Sequence, residues 1–223
     1  MIVFDNVTLR YHYDDFDVLK GASFSIVDGV NTILADAQSG KSSICKLLLK
    51  DIAPSSGKIV IDGNDISGIT NNNLDILYLP RNPVFFEGRS VQYNMAYPLK
   101  IRKVARPERQ ARVKELAAQF GLPLEVKVSK LNRQQKLSLA LARGLTVQRK
   151  YALFDSFFDD TDTVNIEHIN SILQRFDTSV VLTSNVSIAQ GHTIVLDGGV
   201  TAFQGDSEQA KQCATNLYWL AQK

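Results

Sequence analysis

The segment ADAQSGKSS, residues 35–43, directly follows the strand-like run VNTIL and strongly limits what this chain can fold into. A glycine-bearing loop between a buried strand and a helix N-terminus points successive backbone N–H groups at phosphate oxygens. Lys41 would add a positive charge near the β and γ phosphates of a nucleotide, and Ser42 would supply a hydroxyl for Mg²⁺. Ala35 stands where the pattern G-x-x-x-x-G-K-[ST] begins with glycine. The segment predicts a phosphate-binding loop, and a chance Gly-Lys-Ser opening an ordinary helix is the alternative.

Length and composition indicate a compact globular chain. Its 223 residues, 44% of them hydrophobic and 22% charged, are enough for one domain with a small subdomain. The net charge of +2 is spread over both signs, so the sequence does not favour nucleic acid as a partner. No apolar run reaches the roughly 18 residues of a membrane span, and the first residues do not resemble a signal peptide, so we expect a cytoplasmic chain. Cys45 and Cys213 have no metal-ligand spacing, which predicts buried reduced thiols.

The pattern along the chain predicts an α/β fold. The first 34 residues are rich in β formers and predict a small antiparallel sheet that leads into a core strand. The run ILYLP predicts a strand that ends at Pro80. At about residues 85–145 the apolar residues take helical spacing, which predicts a helical insertion. The runs YALF, SVVLTS and HTIVLD then resume the alternation of strands and helices that is typical of a mostly parallel sheet.

The order of these pieces resembles the nucleotide-binding domain of ATP-binding cassette (ABC) transporters, from residue 2 to about residue 206. The segments that carry the resemblance are RYHYDDFDVLKGASFSI (adenine-stacking segment), YLPRNPVFFEGRSVQYNM (Q-loop), KLNRQQKLSLALARGL (signature motif), YALFDSFFDDTD (Walker B and D-loop), LTSNVSIA (switch segment) and IVLDGGVTAFQGD (terminal hairpin). The resemblance implies a single P-loop NTPase domain of ABC type over residues 1–223. It also implies an N-terminal antiparallel β subdomain and a helical subdomain at about residues 85–145.

The resemblance implies a site for ATP and Mg²⁺. The implied nucleotide-binding positions are Tyr11, Ala35, Gln38, Ser39, Gly40, Lys41, Ser42, Ser43 and Asn132. An aromatic at Tyr11 would stack on adenine, and Asp155 would hold Mg²⁺ together with Ser42. The family favours glycine at the positions of Ala35 and Gln38. If position 38 needs a positive φ, glutamine costs about 1 to 2 kcal/mol there.

Three positions depart from the family where it places catalytic groups. Arg81 replaces the Q-loop glutamine, and a guanidinium there would repel a divalent cation but could pair with phosphate oxygens. Ser156 stands at the position of the general-base glutamate, and Ser184 aligns with the switch histidine. Serine cannot take a proton from water near neutral pH, and losing a positioned base typically costs about 10² to 10⁴ in rate.

The signature motif LSGGQ is altered as well. Its positions are occupied by Leu131, Asn132, Arg133, Gln134 and Gln135. In the family this motif acts across a dimer, where its glycines let backbone N–H groups approach the γ-phosphate of the partner domain's ATP. Side chains at Arg133 and Gln134 would obstruct that approach, whereas Asn132 would cap the helix and donate a hydrogen bond. We therefore expect slow hydrolysis in a homodimer and in a heterodimer with an intact ABC domain.

These observations lead to the hypothesis of an ATP-binding transporter subunit with strongly reduced or absent hydrolysis. By resemblance it would work with a separate membrane-spanning subunit and lie at the membrane periphery. A nucleotide-free ABC module with a regulatory or scaffolding role is an alternative, and so is an active ATPase that uses Asp159 as base. The aromatic residues Phe85, Phe86, Tyr93 and Tyr97 are expected in the core of the helical subdomain.

Overall fold

The computed structural model of the chain describes residues 1–11, 16–35, 40–158, 171–176, 179–184 and 191–214. The chain divides into two compact units. The first comprises Met1–Arg81 with Lys150–Lys223, and the second comprises Asn82–Arg149. In the ranges just given, no helix has the length and apolar character needed to cross a membrane.

An antiparallel sheet forms the N-terminal part of the first unit. Its strands are β1 (Ile2–Leu9), β2 (Leu19–Ile26), β4 (Ser56–Ile61) and β5 (Asn64–Asp65), in the order β2-β1-β4-β5. Ile2, Phe4 and Leu9 of β1 are buried, and Phe4 stacks on Phe24 of β2 with ring centroids 4.3 Å apart. The antiparallel sheet predicted from the first 34 residues is therefore present.

A second sheet of six strands follows in the same unit. Its strands are β3 (Val30–Ala35), β6 (Ile76–Pro80), β7 (Tyr151–Asp155), β8 (Ser179–Ser184), β9 (His192–Asp197) and β10 (Val200–Asp206), in the order β10-β9-β3-β8-β7-β6. Every pair is parallel except β9 with β10, which is antiparallel. The register pairs Leu34 with Ser184, Asp155 with Thr183 and Pro80 with Asp155. The carboxyl ends of β3, β6, β7 and β8 consequently lie at one edge of the sheet.

Helix α1 (Lys41–Leu48) buries its apolar side in the core of the first unit. Ile44 and Leu48 of α1 are fully buried in one cluster with Ile33 of β3 and Leu153 of β7. Full burial of such a side chain stabilises the fold by about 1.5 to 3 kcal/mol. The start of α1 is therefore held firmly beside the carboxyl end of β3. Cys45 is a buried cysteine that forms no disulfide among the described residues, as predicted.

The described C-terminal part of the first unit ends in a helix. Residues 171–173 are also helical, and α5 (Ser207–Ala214) follows β10. The sequence predicts a closing helix over the last 18 residues, and α5 covers the first part of it. Residues beyond 214 and the side chain of Cys213 lie outside the described residues.

Three helices make up most of the second unit. They are α2 (Val91–Ile101), α3 (Arg106–Gln119) and α4 (Arg133–Leu145). Met95 of α2, Val113 of α3 and Leu139 of α4 are fully buried in a common apolar core. The Ser90 hydroxyl caps α2 by accepting a hydrogen bond from the backbone N–H of Tyr93 at 3.2 Å.

The aromatic side chains at the start of this unit differ from the sequence expectation. Phe86 is 44% exposed and Tyr93 is 36% exposed, so the expectation of a core position is wrong for both. The ring of Phe86 lies 5.5 Å from that of Tyr93 and 4.7 Å from that of Tyr97. Phe85, by contrast, packs partly buried against the core. Aliphatic side chains from the three helices fill the buried positions, which leaves these rings to pack on one another at the surface.

Candidate functional site

The junction between β3 and α1, where the sequence predicts a phosphate-binding loop, is described at both of its ends. β3 ends at Ala35, and Gly40 precedes α1 with a left-handed φ of +88°. A side chain at Gly40 would be crowded, since a Cβ there would lie 3.1 Å from atoms of both Val18 and Leu19. The first N–H groups of a helix have no partner within the helix and favour anions. Gln38 and Ser39 lie outside the described residues.

The side chain of Lys41 folds back towards the end of β3. Its side chain is only 8% exposed, and its Nζ donates a hydrogen bond to the backbone oxygen of Ala35 at 2.6 Å. A buried ammonium needs such a partner because desolvation disfavours an isolated charge. The contact places the ammonium beside the last residue of β3, at the start of α1.

Ser42, Asp155 and Tyr78 form a hydrogen-bonded chain at the carboxyl edge of the parallel strands. The hydroxyl of Ser42 donates to Oδ1 of Asp155 at 2.9 Å, and the hydroxyl of Tyr78 donates to Oδ2 at 3.0 Å. Asp155 is 8% exposed. Burial raises the pKa of Tyr78 well above its usual value, and the Asp155 charge acts in the same direction. Tyr78 is therefore a neutral donor at physiological pH.

This donor set suits a magnesium ion. Mg²⁺ prefers hard oxygen ligands, and in nucleotide sites it is held by one or two protein oxygens together with phosphates and water. Ser42 and Asp155 bring a hydroxyl and a carboxylate together at the start of α1. Because a serine hydroxyl carries one proton and Ser42 donates it to Asp155, its lone pairs are free for a cation. Among the residues that the structure describes, there is no cluster of three or more His, Cys, Asp or Glu side chains that would form another metal site.

Tyr11 is attached to the same helix. Its hydroxyl lies 3.0 Å from the hydroxyl of Ser43, and the ammonium of Lys46 lies 5.5 Å from the centre of its ring. Both contacts hold the aromatic ring beside α1. The structure thus places Tyr11 beside Ser43, one of the positions at which the sequence predicts nucleotide binding.

The three positions at which the sequence predicts replaced catalytic groups lie at the ends of parallel strands. Ser156 follows Asp155, is half-buried and has a left-handed φ of +50°. Arg81 follows β6 and is exposed, and Ser184 ends β8 beside Leu34, with its side chain outside the described residues. Asp159, the alternative base, is likewise outside them.

Asn132 belongs to the second unit, where it caps α4. Its side-chain oxygen accepts a hydrogen bond from the backbone N–H of Gln135 at 2.8 Å, and the Gln135 side chain accepts one from the backbone N–H of Asn132 at 3.0 Å. This reciprocal capping box was foreseen in part, since the sequence predicts Asn132 as the cap. Arg133 and Gln134 are both exposed at the start of α4.

Sequence reasoning missed Tyr78 as a member of the site. In ILYLP its alternating position indicates only a strand residue, and Asp155 lies 77 residues further along the chain. Only the parallel pairing of β6 with β7 brings the two side chains together. No local signal in the sequence marks this contact.

Known proteins resemble the chain, among them two curated relatives and one solved structure. The molybdate/tungstate import ATP-binding protein WtpC of Methanocaldococcus jannaschii is 30% identical over 202 residues, which cover 87% of this chain and 68% of that protein. The methionine import ATP-binding protein MetN of Caulobacter vibrioides is 26% identical over 225 residues, covering 94% and 68%. The structure of a bacterial Atm1-family ABC exporter with ATP bound has a TM-score of 0.81 at 26% identity, covering 99% of this chain and 41% of that one.

The sequence profile of the ABC transporter family matches residues 19–158, which is more than half of the chain. This range begins at β2 and ends just after Asp155, and so it contains the phosphate-binding loop, Tyr78 and the second unit. The chain therefore belongs to the ABC transporter family and contains its nucleotide-binding domain.

Proposed function

We propose that this chain is the ATP-binding subunit of an ABC-type membrane transporter that binds ATP with Mg²⁺ and hydrolyses it very slowly. One observation carries the proposal. Ser42 and Asp155 meet at 2.9 Å at the start of α1, as a cation site requires, but the next residue is Ser156 and not a general base. The groups for binding are retained while the group that activates water is replaced.

Binding is supported by the arrangement around α1. The helix N-terminus and the ammonium of Lys41 would attract the phosphates, and Ser42 with Asp155 would hold Mg²⁺. Mg²⁺ would neutralise phosphate charge when bound. Tyr11 would contact the adenine ring from its place beside Ser43. Ala35, Gln38 and Ser39 would complete the loop.

Slow hydrolysis follows from three replaced side chains. Without a positioned base the expected loss is about 10² to 10⁴ in rate, or about 3 to 5 kcal/mol in the barrier. Arg81 cannot position a water as a neutral glutamine does, because all of its polar groups are donors. Serine at position 184 also gives a shorter reach than the switch histidine of the family.

Partner domains would not restore these groups. In the family two ABC domains enclose each ATP, so a homodimer of this chain or a heterodimer with another ABC domain is the proposed assembly. One site would always use Ser156, and the other would face Arg133 and Gln134, which are exposed at the start of α4. A separate membrane-spanning subunit would hold the assembly at the cytoplasmic face of a membrane. The names of the two import ATP-binding relatives support this role.

Calorimetric titration of the purified chain with ATP tests the binding half of the proposal. We expect saturable binding in Mg²⁺, lost in Lys41→Ala. Lys58→Ala is the matched control, because Lys58 is an exposed lysine on β4 paired with Asp5 at 3.3 Å and removing it changes the net charge by the same amount. Weakening by Lys58→Ala equal to that by Lys41→Ala would contradict a specific phosphate site.

The same titration distinguishes an ATP-binding transporter subunit from a nucleotide-free ABC module. Absence of ATP binding by the wild-type chain in Mg²⁺ and in EDTA would overturn the proposal. That result would favour a nucleotide-free ABC module that acts by contacting other proteins.

A further inference from the structure

Tyr78 contacts the cation site without being one of its expected ligands. Its hydroxyl donates to Oδ2 of Asp155 at 3.0 Å, while Oδ1 accepts from Ser42 at 2.9 Å. Both oxygens of the carboxylate are therefore engaged by hydroxyl donors from two different elements, β6 and α1. A carboxylate held at both oxygens has little freedom to rotate.

The orientation of Asp155 decides the orientation of Ser42. A serine hydroxyl has one proton and two lone pairs, and it can ligate a cation with a lone pair only when the proton points elsewhere. Asp155 takes that proton at Oδ1. If the carboxylate rotates, the hydroxyl proton of Ser42 loses this acceptor. The hydroxyl can then rotate, and its lone pairs no longer point at a fixed position.

A purely structural role for Tyr78 fits its surroundings less well. β6 is the edge strand among the described strands of the six-stranded sheet, and Tyr78 is 37% exposed on it. Its neighbour Leu79, by contrast, is buried. The hydroxyl of Tyr78 is the part of the side chain that meets a buried charged group.

We propose that Tyr78 is a positioning residue of the cation site: by holding Oδ2 of Asp155 it keeps Ser42 directed at Mg²⁺ when ATP binds. This inference rests on the proposed ATP binding. Groups that orient metal ligands through a hydrogen bond typically change metal affinity by about 10-fold to 100-fold when they are removed. The role of Tyr78 should therefore appear in the dependence of ATP binding on Mg²⁺.

The test compares ATP dissociation constants in Mg²⁺ and in EDTA for the wild-type chain and for Tyr78→Phe. The quantity of interest is the gain in ATP affinity that Mg²⁺ provides. We expect Tyr78→Phe to reduce this gain by about 10-fold, with the EDTA value changed by less than about twofold. Phenylalanine keeps the ring and removes only the hydroxyl.

Tyr151→Phe is the matched control. Tyr151 is on the neighbouring strand β7, and its hydroxyl donates to a carboxylate as well, that of Asp62 at 2.8 Å. It lies at the opposite end of β7 from Asp155. We expect this variant to lose stability but to keep the full Mg²⁺ gain.

Three results would overturn the inference. Equal weakening of ATP binding in both buffers would assign Tyr78 a structural role, and a larger Mg²⁺ gain in Tyr78→Phe would show that the hydroxyl competes with the cation. A wild-type chain that binds ATP equally in both buffers would remove the cation site itself. Failure of the proposed function is distinct from all three, since the wild-type chain would then not bind ATP in either buffer.

Discussion

Replacing Gly40 with alanine tests whether the junction between β3 and α1 sets the geometry of the phosphate site. An L-residue at φ +88° costs about 1 to 2 kcal/mol, of which about 0.4 to 1 kcal/mol is offset by the lower entropy of the unfolded chain. The new Cβ would also lie 3.1 Å from Leu19 Cδ2 and 3.1 Å from Val18 Cγ1. Moving these side chains by a few tenths of an ångström adds about 1 kcal/mol. We expect the free energy of unfolding to fall by about 2 kcal/mol.

The variant Gly63→Ala separates the backbone cost of a positive φ from the cost of crowding around the new Cβ. Gly63 has a similar φ of +82° but no atom within 4 Å of an added Cβ, so it carries the conformational cost without the crowding. Urea unfolding of both variants should show Gly40→Ala to be less stable than Gly63→Ala by about 1 kcal/mol.

Calorimetry should then show ATP binding weakened by about 10-fold or more in Gly40→Ala and unchanged in Gly63→Ala, because only the former displaces the first turn of α1. Equal stability of the two variants would refute the steric reasoning. Wild-type ATP affinity in Gly40→Ala would refute the assignment of the site to this junction.

Two further predictions concern the strand β7 and the residue after it. Ser156→Glu should raise the rate of single-turnover ATP hydrolysis by about 10-fold or more, because it restores a carboxylate base. Ser156→Gln is the control, since glutamine has nearly the same shape but cannot act as a base. Equal rates in both variants would show that the missing base is not the cause of slow hydrolysis. Burial, followed by the hydrogen bond to Asp62, raises the pKa of Tyr151, so the folded chain keeps a proton that the unfolded chain loses above about pH 10. Above about pH 10 the free energy of unfolding should therefore fall with rising pH more steeply in the wild-type chain than in Tyr151→Phe. The expected difference in slope is about 1.4 kcal/mol per pH unit. Equal slopes in urea unfolding at alkaline pH would contradict this.

Much of the fold could be predicted because its signals are local. The strand ILYLP ends at Pro80 as expected, and α3 and α4 begin and end within one residue of ARPERQARVKELAAQF and NRQQKLSLALARGL, the two segments whose apolar residues have helical spacing. Pro80 restricts the backbone at the end of β6, and Gly121, just after α3, takes a positive φ of +60° that glycine allows. The exposure of Phe86 and Tyr93 was not predictable in this way, since it depends on which side chains from three helices fill the core.

The residues of the candidate site follow from sequence motifs, but the contacts between them do not. Lys41, Ser42 and Asp155 were identified from motifs whose chemistry requires those residue types. The bond from Tyr78 to Asp155 and the pairing of Tyr11 with Ser43 join residues far apart in sequence, and neither pair belongs to a motif that specifies the other. The left-handed backbone at Ser156 also escapes prediction, because serine has no special preference for that conformation.

The fate of ATP bound to the purified wild-type chain tests the central claim most directly. ATP and ADP would be quantified over time at saturating ATP and Mg²⁺, with Lys41→Ala as the reference for turnover that does not come from this site. Typical enzymes turn over at about 10 s⁻¹, and loss of a positioned base lowers this to about 10⁻³ to 10⁻¹ s⁻¹. The account predicts that bound ATP is hydrolysed at a rate within or below that range. Turnover of about 1 s⁻¹ or faster that disappears in Lys41→Ala would contradict it.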